Sequence, residues 1–248
     1  MLSLSRQNYY RELFKQTNPT WCSSGELYEA KVRQHLFEQS ASPDSLVVLD
    51  LGCGSGGVME LFSRQVLVSV GIDSDIKSLS LHRDDASKLV AGNLAVLPFD
   101  DAVFDLVISS WVLEHLTDPQ LVFSEIARVL KQGGHFVFLT PNRNNLVTIL
   151  NRLMPKMYQK HLVKLFYSRS ATDTFAVVYK SNTIGEIDQY ARSAGLKRVS
   201  IEHVSDPTYL AFSDLLFRLS VTIERLTPRG NYVHLVGDYV KSLAPSAA

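Results

Sequence analysis

Cysteine is scarce in this sequence: 248 residues hold two, Cys22 and Cys53. Neither their number nor their spacing makes a disulfide framework or a zinc site, so both are expected to be free thiols. Charge of one sign is not in excess either, with 25 Lys and Arg against 25 Asp and Glu. A chain without net charge has no global field to hold a polyanion by counterion release, and nucleic acid is not an expected partner. Long apolar runs are missing too. The best candidate for a membrane span, Tyr209–Ile223, is interrupted by Asp214 and Arg218, and a span needs about 20 charge-free residues. Met1–Lys15 mixes Arg6, Arg11 and Glu12 among its apolar residues, which leaves no apolar export segment and points to a cytoplasmic location. No oxygen-ligand cluster of recognisable spacing suggests a metal, because the carboxylates near the candidate site are spread over separate strand ends.

What the chain does have is 46% hydrophobic residues, enough for one large core, and a single domain is expected. Short β-rich runs alternate with helical periodicity from Leu46 almost to the end, the pattern of a parallel sheet covered by helices. Strands are predicted near Leu46–Leu51, Val66–Ile72, Lys88–Ala91, Phe104–Ser109, His135–Thr140, Lys197–Val204 and Tyr232–Val236. Helices are predicted over Gly56–Arg64, Asp75–Leu81, Pro119–Leu130 and Thr183–Ala194, the third with Asp118 as N-cap and ended by Gly133-Gly134. Arg6–Lys15 and Gly25–Gln39 read as two further helices joined at Asn18-Pro19. The expected organisation is a helical extension over 1–43, a core over 44–141, a helical cap over 142–182 and the C-terminal half of the sheet over 183–248.

The strand Val47-Val48-Leu49 runs into Asp50-Leu51-Gly52-Cys53-Gly54-Ser55-Gly56-Gly57. A glycine-rich turn at a strand end lets a ligand approach backbone that Cβ groups otherwise shield. The spacing leaves two cofactors open. Gly52, Gly54 and Gly57 satisfy the G-x-G-x-x-G dinucleotide fingerprint, with Asp73 lying 21 residues after Gly52 as a ribose acid. Asp50, two residues before the first glycine, suits an ammonium group better than a pyrophosphate. The absence of Lys and Arg between Asp44 and Ser63 points mildly the same way.

Further runs follow: Gly71-Ile72-Asp73, Leu97-Pro98-Phe99, Leu113-Glu114-His115 and Arg128-Val129-Leu130-Lys131-Gln132-Gly133-Gly134. With the glycine turn, and in this order, they make residues 44–141 resemble the type 11 branch of the class I S-adenosylmethionine (SAM)-dependent methyltransferases. The resemblance implies a seven-stranded, Rossmann-like, doubly wound α/β sheet, mostly parallel with the last strand antiparallel, and SAM as cofactor. It implies methyl transfer to oxygen or nitrogen of a small-molecule, glycan- or lipid-linked acceptor. A catalytically inactive SAM-binding module fits the motifs equally well, and a nicotinamide-dependent oxidoreductase fits the loop alone.

Carried over residue by residue, the resemblance places Asp50, Gly52, Cys53, Gly54 and Gly56 around the methionine end. It places Asp73 on the ribose hydroxyls, beside Ser74, either of which otherwise caps the following helix. Asn93 and Leu94 fall to the adenine, Asn93 standing where the family usually has Asp and reading otherwise as a turn residue. Ser110 contacts the methionyl group, and Trp111 is wall or core. An activated methyl needs alignment more than acid–base machinery, so His115, His161, Tyr179 and His203 are only candidate bases. Asn142–Arg169 carries Arg143, Arg152, Lys156, Lys160, Lys164 and Arg169 and no acid. Apolar residues interleave at helical spacing, giving an amphipathic cap whose basic face is solvated surface, an anchor for an anionic acceptor, or a transient contact with an anionic membrane. Tyr209–Leu226, also amphipathic, is expected to close the pocket or form a dimer face, so monomer and homodimer are both open.

Overall fold

A computed structural model describes residues 4–40, 42–146, 148, 149, 177–208, 211 and 213–242, with the backbone alone for 4–7. Most of the expected cap, with His161, Lys160 and Lys164, lies outside the described residues. The chain forms two compact units built from interleaved segments. The first comprises Met1–Ser24, Pro141–Ala176 and His203–Leu235, and the second Gly25–Thr140, Val177–Glu202 and Val236–Ala248.

The strands are β1 (Val47–Leu51), β2 (Val68–Asp73), β3 (Lys88–Ala91), β4 (Phe104–Ser110), β5 (Leu130–Pro141), β6 (Leu196–Val204) and β7 (His234–Lys241). They form one sheet in the order β3-β2-β1-β4-β5-β7-β6, with β7 running antiparallel. The pairs β1–β2, β1–β4, β2–β3 and β4–β5 are parallel. Central β1 is buried along four consecutive residues, as a strand covered on both faces must be, whereas edge strand β3 is largely exposed. The order reverses between β1 and β4, so the carboxyl ends of β1, β2 and β4 open onto the crevice where ligands bind in sheets of this kind.

Among the described residues, the helices are α1 (Leu4–Thr17), α2 (Ser24–Arg33), α3 (Ile76–Ser80), α4 (Pro119–Val129), α5 (Ile184–Ser193) and α6 (Asp214–Leu226). Their starts follow side-chain caps: Asp75 accepts from Lys77, Asp118 from Leu121, Thr183 from Glu186 and Ser213 from Leu216. The Thr183 hydroxyl also donates to the Glu186 carboxylate at 2.9 Å, which fixes the cap from both sides. α4 and α5 pack together in the second unit, with the Phe123 and Tyr190 rings 6.0 Å apart. In the first unit, Tyr10 and Phe14 of α1 cluster with Ala211 and Phe217. The Tyr10 hydroxyl donates to Asp214 at 2.7 Å.

Several boundaries differ from expectation for local reasons. Gly56–Arg64 is not an α-helix but two 3-10 turns, Val58–Leu61 and Ser63–Gln65. Two successive glycines precede it and no side chain caps its start, which removes the support a first turn needs. Gly133-Gly134 does not end α4. That helix stops at Val129, and the glycines lie inside β5, where Gly133 takes φ +76° beside a register irregularity between Phe104 and Leu106. The last strand is longer and later than predicted, because His234–Tyr239 are consecutively buried instead of alternating. α2 ends in a π-turn over Gln34–Glu38, and α6 covers Asp214–Leu226 of the amphipathic stretch that begins at Tyr209. No helix among the described residues is long and apolar enough to cross a membrane.

Candidate functional site

The glycine turn leaves β1 with three residues in left-handed backbone: Gly52 at φ +75°, Gly54 at +50° and Gly56 at +114°. A Cβ at Gly52 would run into the Val112 side chain just beyond β4. The turn is held by backbone bonds from Gly52 and Cys53 to the Ile72 carbonyl, at 2.8 and 3.1 Å. Gly71 supplies the space for Cys53, since a Cβ there would stand 2.7 Å from Sγ. Burial pushes the Cys53 thiol up to about 12, helped by the charges of Asp50 and Asp73. Such a thiol is protonated at neutral pH and is no nucleophile.

Asp73 ends β2 beside this turn. Its Oδ2 accepts from the Gly54 amide at 2.9 Å and its Oδ1 from the Asp75 amide at 2.8 Å. It therefore shapes the loop, while the cap of α3 is Asp75, and neither Asp73 nor Ser74 fills that role. A carboxylate has about four acceptor positions, so two backbone bonds leave room for two hydroxyls. Asp50 is buried at the end of β1, opposite Gly71 and Ile108. Burial, then the charges of Asp73 and Asp84, raise its pKa to about 7. A cation brought against Asp50 would reverse that shift, which makes this corner of the site receptive to an ammonium group.

Asn93 is exposed just past β3, and its Oδ1 accepts from the Ala95 amide at 3.0 Å, a tight Asx-type turn at the site's rim. Its amide nitrogen is not engaged in that bond. Leu94 is half-buried beside it. The following Leu97-Pro98-Phe99 segment is pinned by α4: the Leu97 amide donates to Glu125 at 2.6 Å, and Arg128 donates to the Leu97 and Phe99 carbonyls at 3.0 and 2.7 Å. Two motifs far apart in sequence thus form one clamp that fixes the rim. Ser110 ends β4, half-buried, and Trp111 follows at φ +61° with 43% of its surface exposed. A bulky residue in left-handed backbone is costly and marks a position worth a functional reading.

Two contributors were not foreseen. Tyr28 of α2 is buried, with its hydroxyl among Asp50, Ser109 and Ser110 and no hydrogen bond of good geometry among the described residues. Burial, then the Asp50 charge, raises its pKa. Leaving such a hydroxyl unsatisfied costs about 1–3 kcal/mol, a deficit a bound polar group would remove. Arg83 closes over the loop from outside, bonding Ser55 Oγ at 3.3 Å and pairing with Glu60 at 2.6 Å. No sequence signal links a tyrosine on the second helix, or an arginine after the third, to the glycine turn.

Among the candidate bases, His115 and Tyr179 both contact Glu114, His115 through its ring and Tyr179 through its backbone. The His115 Nε2 lies 3.9 Å from the Glu114 carboxylate, and the Tyr179 amide donates to the Glu114 carbonyl at 3.1 Å. Glu114 itself is buried, accepts from Thr140 Oγ1 at 3.1 Å, and is pushed by burial up to about 7. Asn182 donates in turn to Thr140 Oγ1 at 2.7 Å. Tyr179 is buried at φ +53°. His203 belongs to the other unit, half-buried on β6, and burial lowers its pKa. Arg143 is half-buried just after β5.

A family model of a methyltransferase domain matches residues 49–138, the stretch from β1 into β5 that carries this site. A probable SAM-dependent methyltransferase of Mycolicibacterium smegmatis is 38% identical over 114 residues, 45% of this chain and 43% of that protein. A ubiquinone biosynthesis O-methyltransferase of Coxiella burnetii is 26% identical over 176 residues, 68% of this chain and 71% of that protein. Among solved structures, geranyl diphosphate C-methyltransferase from Streptomyces coelicolor, in complex with Mg2+, geranyl diphosphate and S-adenosyl-L-homocysteine, superposes with a TM-score of 0.57. That match has 17% identity and covers 86% of this chain and 76% of the other.

Proposed function

The chain carries a class I SAM-dependent methyltransferase domain, and from that premise we propose that it transfers the SAM methyl group to oxygen or nitrogen of a small-molecule, glycan- or lipid-linked acceptor. The observation that carries the reading is the glycine cradle at the carboxyl end of β1, clamped by the carboxylate of Asp73 through the Gly54 amide. SAM supplies an already activated methyl on a sulfonium. The chain's own residues then have to bind, orient and exclude water.

In this reading Asp73 accepts the ribose hydroxyls with its spare lone pairs, and Ser74 stands beside it. Asn93 and Leu94 meet the adenine. Gly52, Cys53, Gly54 and Gly56 offer backbone along the methionine end, Asp50 meets its ammonium, and Ser110 and Tyr28 supply hydroxyls there. For a hydroxyl acceptor the proton falls to a group near the rim. His115 and Tyr179 are the candidates in contact with Glu114, while His161 and His203 remain candidates from the sequence alone. A SAM-binding module without turnover is the second reading, favoured by the absence of an unmistakable base among the described residues.

The acceptor is proposed to be anionic, because Asn142–Arg169 carries six cations and no acid in a chain of zero net charge. Arg143 is the preferred anchor, since it follows the end of β5 directly. The Coxiella relative, named as a ubiquinone biosynthesis O-methyltransferase, supports oxygen of a small-molecule or lipid-linked acceptor. The proposed location is the cytoplasm, as monomer or homodimer, with transient membrane contact at the basic segment. Reversing Lys160 and Lys164 to Glu is expected to raise the acceptor KM about 30-fold at low ionic strength, on the scale of about 1 kcal/mol per surface cation, with SAM affinity unmoved. Acceptor kinetics untouched across a salt series would dismiss the anionic acceptor. Saturable SAM binding without turnover on any acceptor would favour the second reading.

A further inference from the structure

The opposite end of the sheet holds a cluster that the methyltransferase site does not use. His35 sits in the π-turn that ends α2, His135 in the middle of β5 opposite Leu106 of β4, and Asp238 in β7, all within the second unit. The two Asp238 oxygens face one imidazole each: Oδ2 is 3.0 Å from His35 Nε2 and Oδ1 is 2.8 Å from His135 Nδ1. One ligand atom from each residue lies within 4.8 Å of the other two. His35 and Asp238 are buried and His135 is half-buried. The imidazole rings lie 4.0 Å apart, their planes 38° from parallel.

We propose that His35, His135 and Asp238 form a site for one divalent transition-metal ion of the zinc class. Two imidazole nitrogens and a carboxylate oxygen are a donor set that suits zinc, and three protein ligands are what an open zinc site has. Bonds of about 2.0 Å in tetrahedral geometry put ligand atoms about 3.3 Å apart. The observed nitrogen–oxygen separations of 2.8 and 3.0 Å are a few tenths short of that, so the residues are already gathered. The ion replaces the two protons that now bridge nitrogen and oxygen. A neutral imidazole moves its proton to its other ring nitrogen, and a charged one releases a proton to water.

A cavity of about 370 Å³, lined by His35, Gln39, Asp105, Lys131 and His135 among others, adjoins the cluster and gives access for the ion and a fourth ligand. The lysine there is paired to both oxygens of Asp105 at 2.8 Å, which offsets its charge. The competing account is that Asp238 only staples the two histidines, and its lowered pKa, about 2, fits either. A π-turn at His35 favours the proposal, since these irregular turns frequently occur at functional positions.

The test is calorimetric titration of the chelator-treated full chain with Zn2+, repeated with Co2+ while the visible d–d absorption is recorded. One ion per chain with the intense band of low-coordinate cobalt is expected. Binding should weaken about 100-fold or more in His135→Gln and Asp238→Asn, because loss of a direct ligand exceeds the effect of losing its supporting partner. SAM titration of the same samples reports whether each variant is folded. If a variant does not fold, imidazole NMR of the wild-type chain decides. Zn2+ should shift the His35 and His135 resonances and leave His82, His115, His161, His203 and His234 in place. No stoichiometric binding, undiminished binding in folded variants, or shifts confined to the other histidines would overturn the proposal.

Discussion

Glu114→Gln is expected to stabilise the protein by about 3 kcal/mol at pH 8 and to leave it nearly unchanged at pH 4. Burial raises the folded-state pKa of Glu114 from 4.5 to about 7. Each tenfold change in proton affinity is worth about 1.4 kcal/mol. Because the folded value lies above the unfolded one, the protonated form carries no penalty below the unfolded pKa. The penalty grows as pH rises toward 7 and is constant beyond it. Glutamine keeps an oxygen for the Thr140 hydroxyl and has no charge to bury, so it removes this dependence. Asp50 and Glu224 are also raised to about 7 by burial. They titrate in wild type and variant alike and cancel in the difference. Denaturant midpoints at the two pH values measure it, and an equal difference at both would show that Glu114 is ionised without cost.

Asp73→Ala is expected to weaken SAM binding by about 1.5–3 kcal/mol, roughly 10- to 150-fold. In the proposed reading the lost interactions are charge-assisted hydrogen bonds to the ribose, and the variant also frees the Gly54 and Asp75 amides that Asp73 now holds. The second effect loosens the loop before any ligand arrives. Asp73→Asn separates the two, because its single oxygen can keep one backbone bond while the charge is gone. It should fall between wild type and alanine in affinity, with ligand-free melting close to wild type. Unchanged affinity in a folded Asp73→Ala chain would place the ribose acid elsewhere.

The strands and the glycine turn were legible because their signals are local. A β-rich run, then glycines, then a carboxylate at the next strand end is written in consecutive residues, and the parallel register follows from the repeat of strand and helix. The positive φ of Gly52, Gly54 and Gly56 accounts for the spacing in physical terms. Where glycine reading failed, at Gly133-Gly134, the same residues served a bulge in β5 instead of a helix end, a choice made by pairing with β4. The expected helix after Gly56 failed because the two glycines gave it no preorganised first turn.

The least legible parts depend on residues far apart in the chain. Tyr28 meets Asp50 and Ser110 only after α2 packs on the sheet, and nothing in the helix itself marks the hydroxyl. Glu114 stands in the sequence only as part of the Leu113-Glu114-His115 run, whereas burial, which only the fold supplies, sets its chemistry. His35, His135 and Asp238 span 203 residues between first and last contact. A scan for short metal-ligand spacings passes over them.

The central claim is that the cradle of Gly52, Gly54 and Gly56, with Asp73 beside it, holds SAM. Calorimetric titration of the full chain with SAM and, separately, with NAD tests it most directly. The account predicts one SAM per chain, displaced by S-adenosylhomocysteine, with stabilisation that grows with free ligand by mass action and no saturable response to NAD. Saturable binding of NAD with none of SAM would contradict it.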